Sequence, residues 1–262
     1  MLRNVIVVLF SLVSLMFTSC QKMDAFFRVG EPITEERSVD QRFTVVSMFN
    51  NVNVKLVHSH HPRLELTCPK NLIEKVTTEV SGDTLVIRNE NDFNWIRTYD
   101  YSIDLTVYYD SLRSVNFYSI GQLRSLDSIK GMMVQNIDSI DGEIDTVRTR
   151  NFVLRILEGS GDINLNLDCG VLKTVFSNGT SKVTLNGYAN YVEHYLKSYG
   201  VVHAENLYSN ITKVMSHSTN DAYVWANATL HAFLYNIGDV YYKGHPWVDA
   251  YYEGDGRVYK LE

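Results

Sequence analysis

"LEGSGDINL", Leu157 to Leu165, is the stretch whose reading decides the fold. Gly159-Ser160-Gly161 has the composition of a tight turn, and Asp162-Ile163-Asn164-Leu165 alternates polar and apolar as a strand does. Three readings compete: a lone turn, a glycine loop cradling phosphate, or one copy of a repeat. With Gly161 as phase marker, a turn-forming residue followed two positions later by an apolar one recurs. The instances are Gly121/Leu123, Gly142/Ile144, Gly161/Ile163, Ser181/Val183, Gly200/Val202, Asn220/Ala222, Gly238/Val240 and Gly256/Val258. Their spacings are 21, 19, 20, 19, 20, 18 and 18 residues, too regular for coincidence. A phosphate loop needs a helix directly after it, and none of these turns precedes a helical pattern. The glycines are recurring corners.

A second track keeps the same step. Val153, Leu172, Val192, Ile211, Leu230 and Val248 each open an apolar-rich run, such as "LKTVF" and "LHAFL". Two tracks advancing together mark a repeat architecture in which each unit stacks on the last. About 20 residues at ~3.3 Å each give a contour of roughly 65 Å, the length of one β-helix coil of two or three short strands. Coils stacked ~4.8 Å apart would make eight of them a rod near 40 Å long. A β-meander with a two-strand repeat would generate the same period, and arithmetic does not separate the two.

Composition agrees with a β-rich globular chain. Apolar residues make up 45% of the 262, prolines number four, and 17 Tyr and 11 Phe suit a pleated surface. Residues 1–19 differ: Arg3, an apolar run from Val5 to Phe17, then Thr18-Ser19-Cys20. A run of that length behind one cation reads as a secretory signal rather than a membrane span. Small residues just before the cysteine resemble the lipobox of bacterial lipoproteins, with Phe17 where Leu is usual. That resemblance makes Cys20 the lipidated first residue of the mature protein, anchored to a membrane by its acyl chains, with residues 20–40 as a tether. The net charge of −6 becomes −7 once Arg3 is removed. With no basic stripe, nucleic acid is excluded as a partner. Cys68 and Cys169 read as apolar residues on strands, although an exported setting permits a disulfide.

"LEGSGDINL", "HSTNDAYVWANATL" and "YNIGDVYYKGHPWVDAYYEGDGRVYKL" resemble the head GIN domain family of autotransporter-type adhesins, from about Arg42 onward. The most specific part is Gly238-Asp239-Val240-Tyr241-Tyr242-Lys243-Gly244-His245-Pro246. The resemblance implies an all-β, right-handed parallel β-helix of pectin-lyase type without that group's catalytic residues. It also implies an adhesive role at the cell surface or envelope, and self-association as a trimer.

Residues 41–117 alternate like strands without the clean repeat, and read as an irregular β-rich opening to the regular coils of 118–262. The run "KNLIEKV" permits one short helix capped by Asn71. "NENDFNWIRTYD", which carries Trp95, reads as a loop.

Strand alternation points Asn164, Thr184, His203, Tyr223, Tyr241 and Tyr259 outward. Tyr223, Tyr241 and Tyr259, extended by Trp225, would form an aromatic strip for a glycan or host-surface ligand, or a ladder that only stabilises the stack. Tyr195, Val214, Phe233 and Tyr251, with Ile156 and Val175, form an apolar column, and Leu157, Phe176, Leu196, Met215, Leu234 and Tyr252 form the next. Neighbouring residues on a flat strand face opposite ways, so either one column is exposed for self-association or a bulge turns both inward. Asp162, Asp221 and Asp239 follow turn residues and read as acceptors for turn amides. "HSHH", with His58, His60 and His61, has no Cys or carboxylate at metal-site spacing beside it, so no metal is expected. No nucleophile elbow, zincin or P-loop motif occurs, and no cofactor is expected. The rival classes are a polysaccharide-lyase-like enzyme and a structural periplasmic lipoprotein.

Overall fold

The computed structural model describes residues 30–91, 101–140 and 143–262. Cys20, the signal segment, Trp95 and Gly142 lie outside the described residues. The opening strands are β1 (Pro32–Ser38), β2 (Val45–Asn50), β3 (Asn53–His58), β4 (Arg63–Pro69), β5 (Val76–Ser81) and β6 (Thr84–Asn89). After them come β7 (Asp104–Tyr109), β8 (Ser114–Ser119), β9 (Leu123–Ile129), β10 (Met132–Ile140) and β11 (Glu143–Gly159). The long strands β12 (Ile163–Phe176), β13 (Lys182–Leu196) and β14 (Val201–Ser216) follow. The chain closes with β15 (Ala222–Trp225), β16 (Thr229–Leu234), β17 (Val240–Lys243), β18 (Trp247–Tyr252) and β19 (Val258–Lys260). All belong to one 19-stranded sheet, so the all-β expectation holds.

The sheet is built from two parallel ladders. One runs β6, β2, β8, β11, β12, β13, β14, β16, β18. The other runs β7, β3, β9, β12, β13, β14, β15, β17, β19. The phase-marker column is in register as expected: Leu123, Ile163, Val183, Val202, Ala222, Val240 and Val258 pair successively. Leu105 and Val54 extend it below, and apart from Val258 every member is fully buried. Alternation along each strand therefore gives continuous columns of Val, Leu, Ile and Phe inside the stack. Each such side chain contributes roughly 1.5–3 kcal/mol by leaving water.

The corners show why the marker is glycine. A Cβ on Gly161 would lie 1.9 Å from the carbonyl oxygen of Gly121 in the rung below. Gly159 has φ +117°, a left-handed conformation that disfavours side chains, and a Cβ there would meet the Ser119 oxygen at 2.1 Å. Stacked backbones leave no room for a side chain at these positions.

Several expectations change. The rung expected at Ile144 is not formed: Ile144 pairs with Ser139 in the antiparallel β10–β11 hairpin. Leu123 pairs directly with Ile163, so the hairpin consumes one repeat length without adding a step to that ladder. The second track slips by one residue at two places. Val153 pairs with Lys173 and lies outside, and Thr212, rather than Ile211, continues the buried Leu172–Val192 column. Between Thr184 and Asn186 a bulge changes the step from 19 to 20, which absorbs the unequal spacing.

The opening is not merely irregular. The rung of β2 and β3, first among the parallel rungs in sequence, lies between β6–β7 and β8–β9. Antiparallel β5 closes the ladder beyond β6, and β4 with β1 closes it beyond β7. β1 falls within the segment expected to be a tether. The expected helix is one 3-10 turn, Ile73–Lys75, with no side-chain cap. The Asn71 side chain instead accepts the Gly30 amide at 3.1 Å. Cys68 and Cys169 are free and buried, and burial pushes their thiols up to about 11 and about 12.

Candidate functional site

The regular pairing puts Asn164, Thr184, His203, Tyr223, Tyr241 and Tyr259 in one outward column. Its last four rings stack face to face. Centroids are 4.8 Å apart for His203–Tyr223, 5.1 Å for Tyr223–Tyr241 and 5.4 Å for Tyr241–Tyr259. Interplanar angles grow from 6° to 14° to 27° up the column. The rung spacing of a parallel sheet, ~4.8 Å, is close to the stacking distance of aromatic rings, so register alone produces the pile. The inner rings cover one another and present their edges and hydroxyls outward. Tyr259, 46% exposed, keeps one face open. Partial burial, and then the nearby charges of Asp221 and Asp239, raise the phenol of Tyr241.

Trp225 belongs to a neighbouring row. Tyr188 stacks on Tyr208 at 5.9 Å, and Tyr208 meets Trp225 edge-on at 5.5 Å. Beside the strip, the Asp221 carboxylate accepts the Asp239 amide at 3.0 Å, and Asp239 accepts the Arg257 amide at 2.7 Å. The turn amides that these two aspartates accept belong to the next rung. At Asp162 it is the backbone carbonyl that accepts, from the Leu123 amide at 2.9 Å.

The other ladder carries the apolar column in altered form. Arg155, Val175, Tyr195, Met215, Phe233 and Tyr251 pair successively and face outward. Val214 is wholly buried, between His194 and Ala232, and Met215 takes its expected place beside Tyr195 and Phe233. The cause is the 20-residue step between β13 and β14. Of the two adjacent columns, one is inside, with Phe176, Leu196 and Leu234 buried, so no bulge turns both inward. Next to the outward column stands a row of charges that sequence reasoning missed. Lys173 and Lys213 flank Glu193 at 3.2 and 3.6 Å, and His231 contacts Asp249 at 3.1 Å. At the following corner His217 stacks on Tyr235 at 4.3 Å.

At the ends of β3 and β7, His58, His60 and Asp110 offer donor atoms that all lie within 4.8 Å of one another. His60 Nδ1 is 3.3 Å from Asp110 Oδ1. His61 is exposed, and its amide donates to the Ser59 hydroxyl at 3.1 Å.

The sequence profile of the family described as "Putative auto-transporter adhesin, head GIN domain" matches residues 42–246. Among solved structures, a putative adhesin from Bacteroides fragilis superposes with TM-score 0.72 at 18% identity, covering 88% of this chain and 97% of that one. A putative lipid binding protein from Parabacteroides distasonis gives TM-score 0.62 at 17% identity, covering 89% of this chain and 98% of that one. A putative adhesin from Parabacteroides merdae gives 0.54 at 15%, covering 89% and 97%. At these identities the likeness is one of fold. No curated protein matches.

Proposed function

Because the chain belongs to the head GIN domain family of auto-transporter adhesins, we propose that it is a non-catalytic surface protein binding its ligand along the outward aromatic strip. The family points to the cell surface. Thr18-Ser19-Cys20 supports lipid anchoring at Cys20 in the outer membrane, with the segment between Cys20 and β1 as a short tether. The parallel in-register ladders, with steps of 18–20 residues, support a parallel β-helix. The right hand comes from the family's pectin-lyase resemblance. A fold of this shape carries no activity with it.

The observation that carries the reading is the ring column His203–Tyr223–Tyr241–Tyr259 beside Trp225. Sugar rings bind aromatic faces through their C–H surfaces, and hydroxyls along the strip supply hydrogen bonds. In this reading the open face of Tyr259 receives a sugar ring, and the edges of Tyr223 and Tyr241 continue the contact. Self-association, as a trimer, is assigned to the other ladder's Tyr195–Met215–Phe233–Tyr251 column.

A glycan array probed with wild type, Tyr241→Ala and Tyr259→Ala tests the strip. The expected result is at least a severalfold loss of signal on the same glycans in both variants, with melting curves showing folded protein. Undiminished binding by both folded variants would remove the strip as the ligand surface.

A further inference from the structure

Sequence spacing left "HSHH" without a carboxylate, and the fold supplies one from fifty residues away. β3 and β7 pair in parallel with His58 opposite Tyr109. The pairing continues one step past the strands, where the Ser59 amide donates to the Tyr109 carbonyl at 2.8 Å. That step brings Asp110 alongside the turn carrying His60. From these residues we infer that His58, His60 and Asp110 form a site for a borderline divalent cation of the zinc class.

The donor set fits that class. Two imidazoles and one carboxylate suit zinc, whereas calcium and magnesium take oxygen donors. A tetrahedral zinc with bonds of ~2.0 Å needs donors roughly 3.3 Å apart. His60 Nδ1 and Asp110 Oδ1 already stand at 3.3 Å. The outer limit of 4.8 Å for the set is closed by rotation of the exposed His60 and Asp110 side chains. The His58 and His60 rings sit edge to face, 5.3 Å apart at 79°.

The backbone beneath is fixed. The Ser59 hydroxyl accepts the His61 amide at 3.1 Å, and Pro62 follows, which holds the turn. Asp127, one rung further, accepts the His58 amide at 2.8 Å through Oδ2, while its Oδ1 is buried with no hydrogen-bond partner among the described residues. The Tyr109 ring packs edge-on against His58 at 5.9 Å. A buried carboxylate oxygen behind the cluster adds negative potential where a cation would sit. Three protein donors leave the fourth position open toward a cleft of about 400 Å³ lined by His60, Asp110, Ser111 and Asp40. Water or an exogenous carboxylate would occupy that position.

Calorimetric titration of zinc into the folded, tag-free chain tests the assignment. The expected result is saturable binding of one zinc per chain and a raised unfolding midpoint. His58→Ala, His60→Ala and Asp110→Asn should each weaken binding by at least the roughly 10–100-fold that loss of a supporting partner costs. All three side chains are exposed, so the variants should keep the wild-type melting temperature without metal. His61→Ala should bind as wild type does. X-ray absorption at the zinc edge should show nitrogen and oxygen ligands only. Absence of saturable binding, unchanged affinity in the three variants, or sulfur in the ligand shell would each overturn the site.

Discussion

His194 sits wholly inside the stack, in a column where Thr174 lies on one side and Val214 on the other. Among the described residues neither ring nitrogen has a hydrogen-bond partner, and burial pushes its pKa down to about 4 from 6.5. A base depressed on folding binds fewer protons in the folded chain than in the unfolded one between those values. Stability is therefore full above pH 6.5 and falls as pH drops toward 4, by up to about 3 kcal/mol from this residue alone. His194→Leu removes the titration and the orphaned N–H, which alone costs about 1–3 kcal/mol. Urea midpoints between pH 7.5 and 4 should show the variant more stable than wild type, by a margin that widens as pH falls. A constant margin would mean that His194 does not stay neutral inside the stack. Nothing in the sequence marks this residue, because "VEHYL" reads equally well with histidine in or out. Gly161 was legible for the opposite reason. A glycine records a backbone constraint in one letter, and Gly121, Gly161, Gly238 and Gly256 all stand at rung contacts.

Between rungs, side chains meet at the sheet's own spacing, and each outward column becomes a row of similar or complementary groups. Glu193 stands between Lys173 and Lys213 with its side chain 17% exposed, so its two contacts are screened less than open surface pairs. Glu193→Gln should cost about 1 kcal/mol at low ionic strength, and most of that loss should vanish in 1 M salt, where screening reaches ~3 Å. Denaturant unfolding at two salt concentrations measures it; a loss indifferent to salt would assign Glu193 a packing role. The tyrosine column was readable because its phase follows the turn-residue corners three residues away. The charge row and the Val214 reversal were not, because the second ladder has no glycine marker and the bulge between Thr184 and Asn186 shifts its count by one. The carboxylate beside "HSHH" was equally invisible: Asp110 approaches through pairing of β3 with β7, and local spacing carries no trace of that.

For the molecule as a whole, position in the chain and position in the stack part company. β2 and β3 open the parallel rungs in sequence, yet each has a strand on both sides, and Val46, Met48, Val54 and Leu56 are fully buried. Among the described residues β18 and β19, last in sequence, each pair on one side only, with Tyr251 and Tyr252 exposed. Repeats alone predict sequential stacking. The exception arises because the chain leaves β3, builds the antiparallel closure of β4 and β5, and returns through β6 and β7 on the far side of its own first rung. In a stack held by nearest-neighbour contacts, local opening begins at a rung with one neighbour. Hydrogen exchange should therefore find the amides of β2 and β3 among the slowest in the protein. Those of β18 and β19 should exchange at least roughly a hundredfold faster, a gap of about 2.7 kcal/mol. Exchange that instead quickened toward both chain ends alike would mean that β2 and β3 are peripheral, and the rung order drawn from their pairing would fail with them.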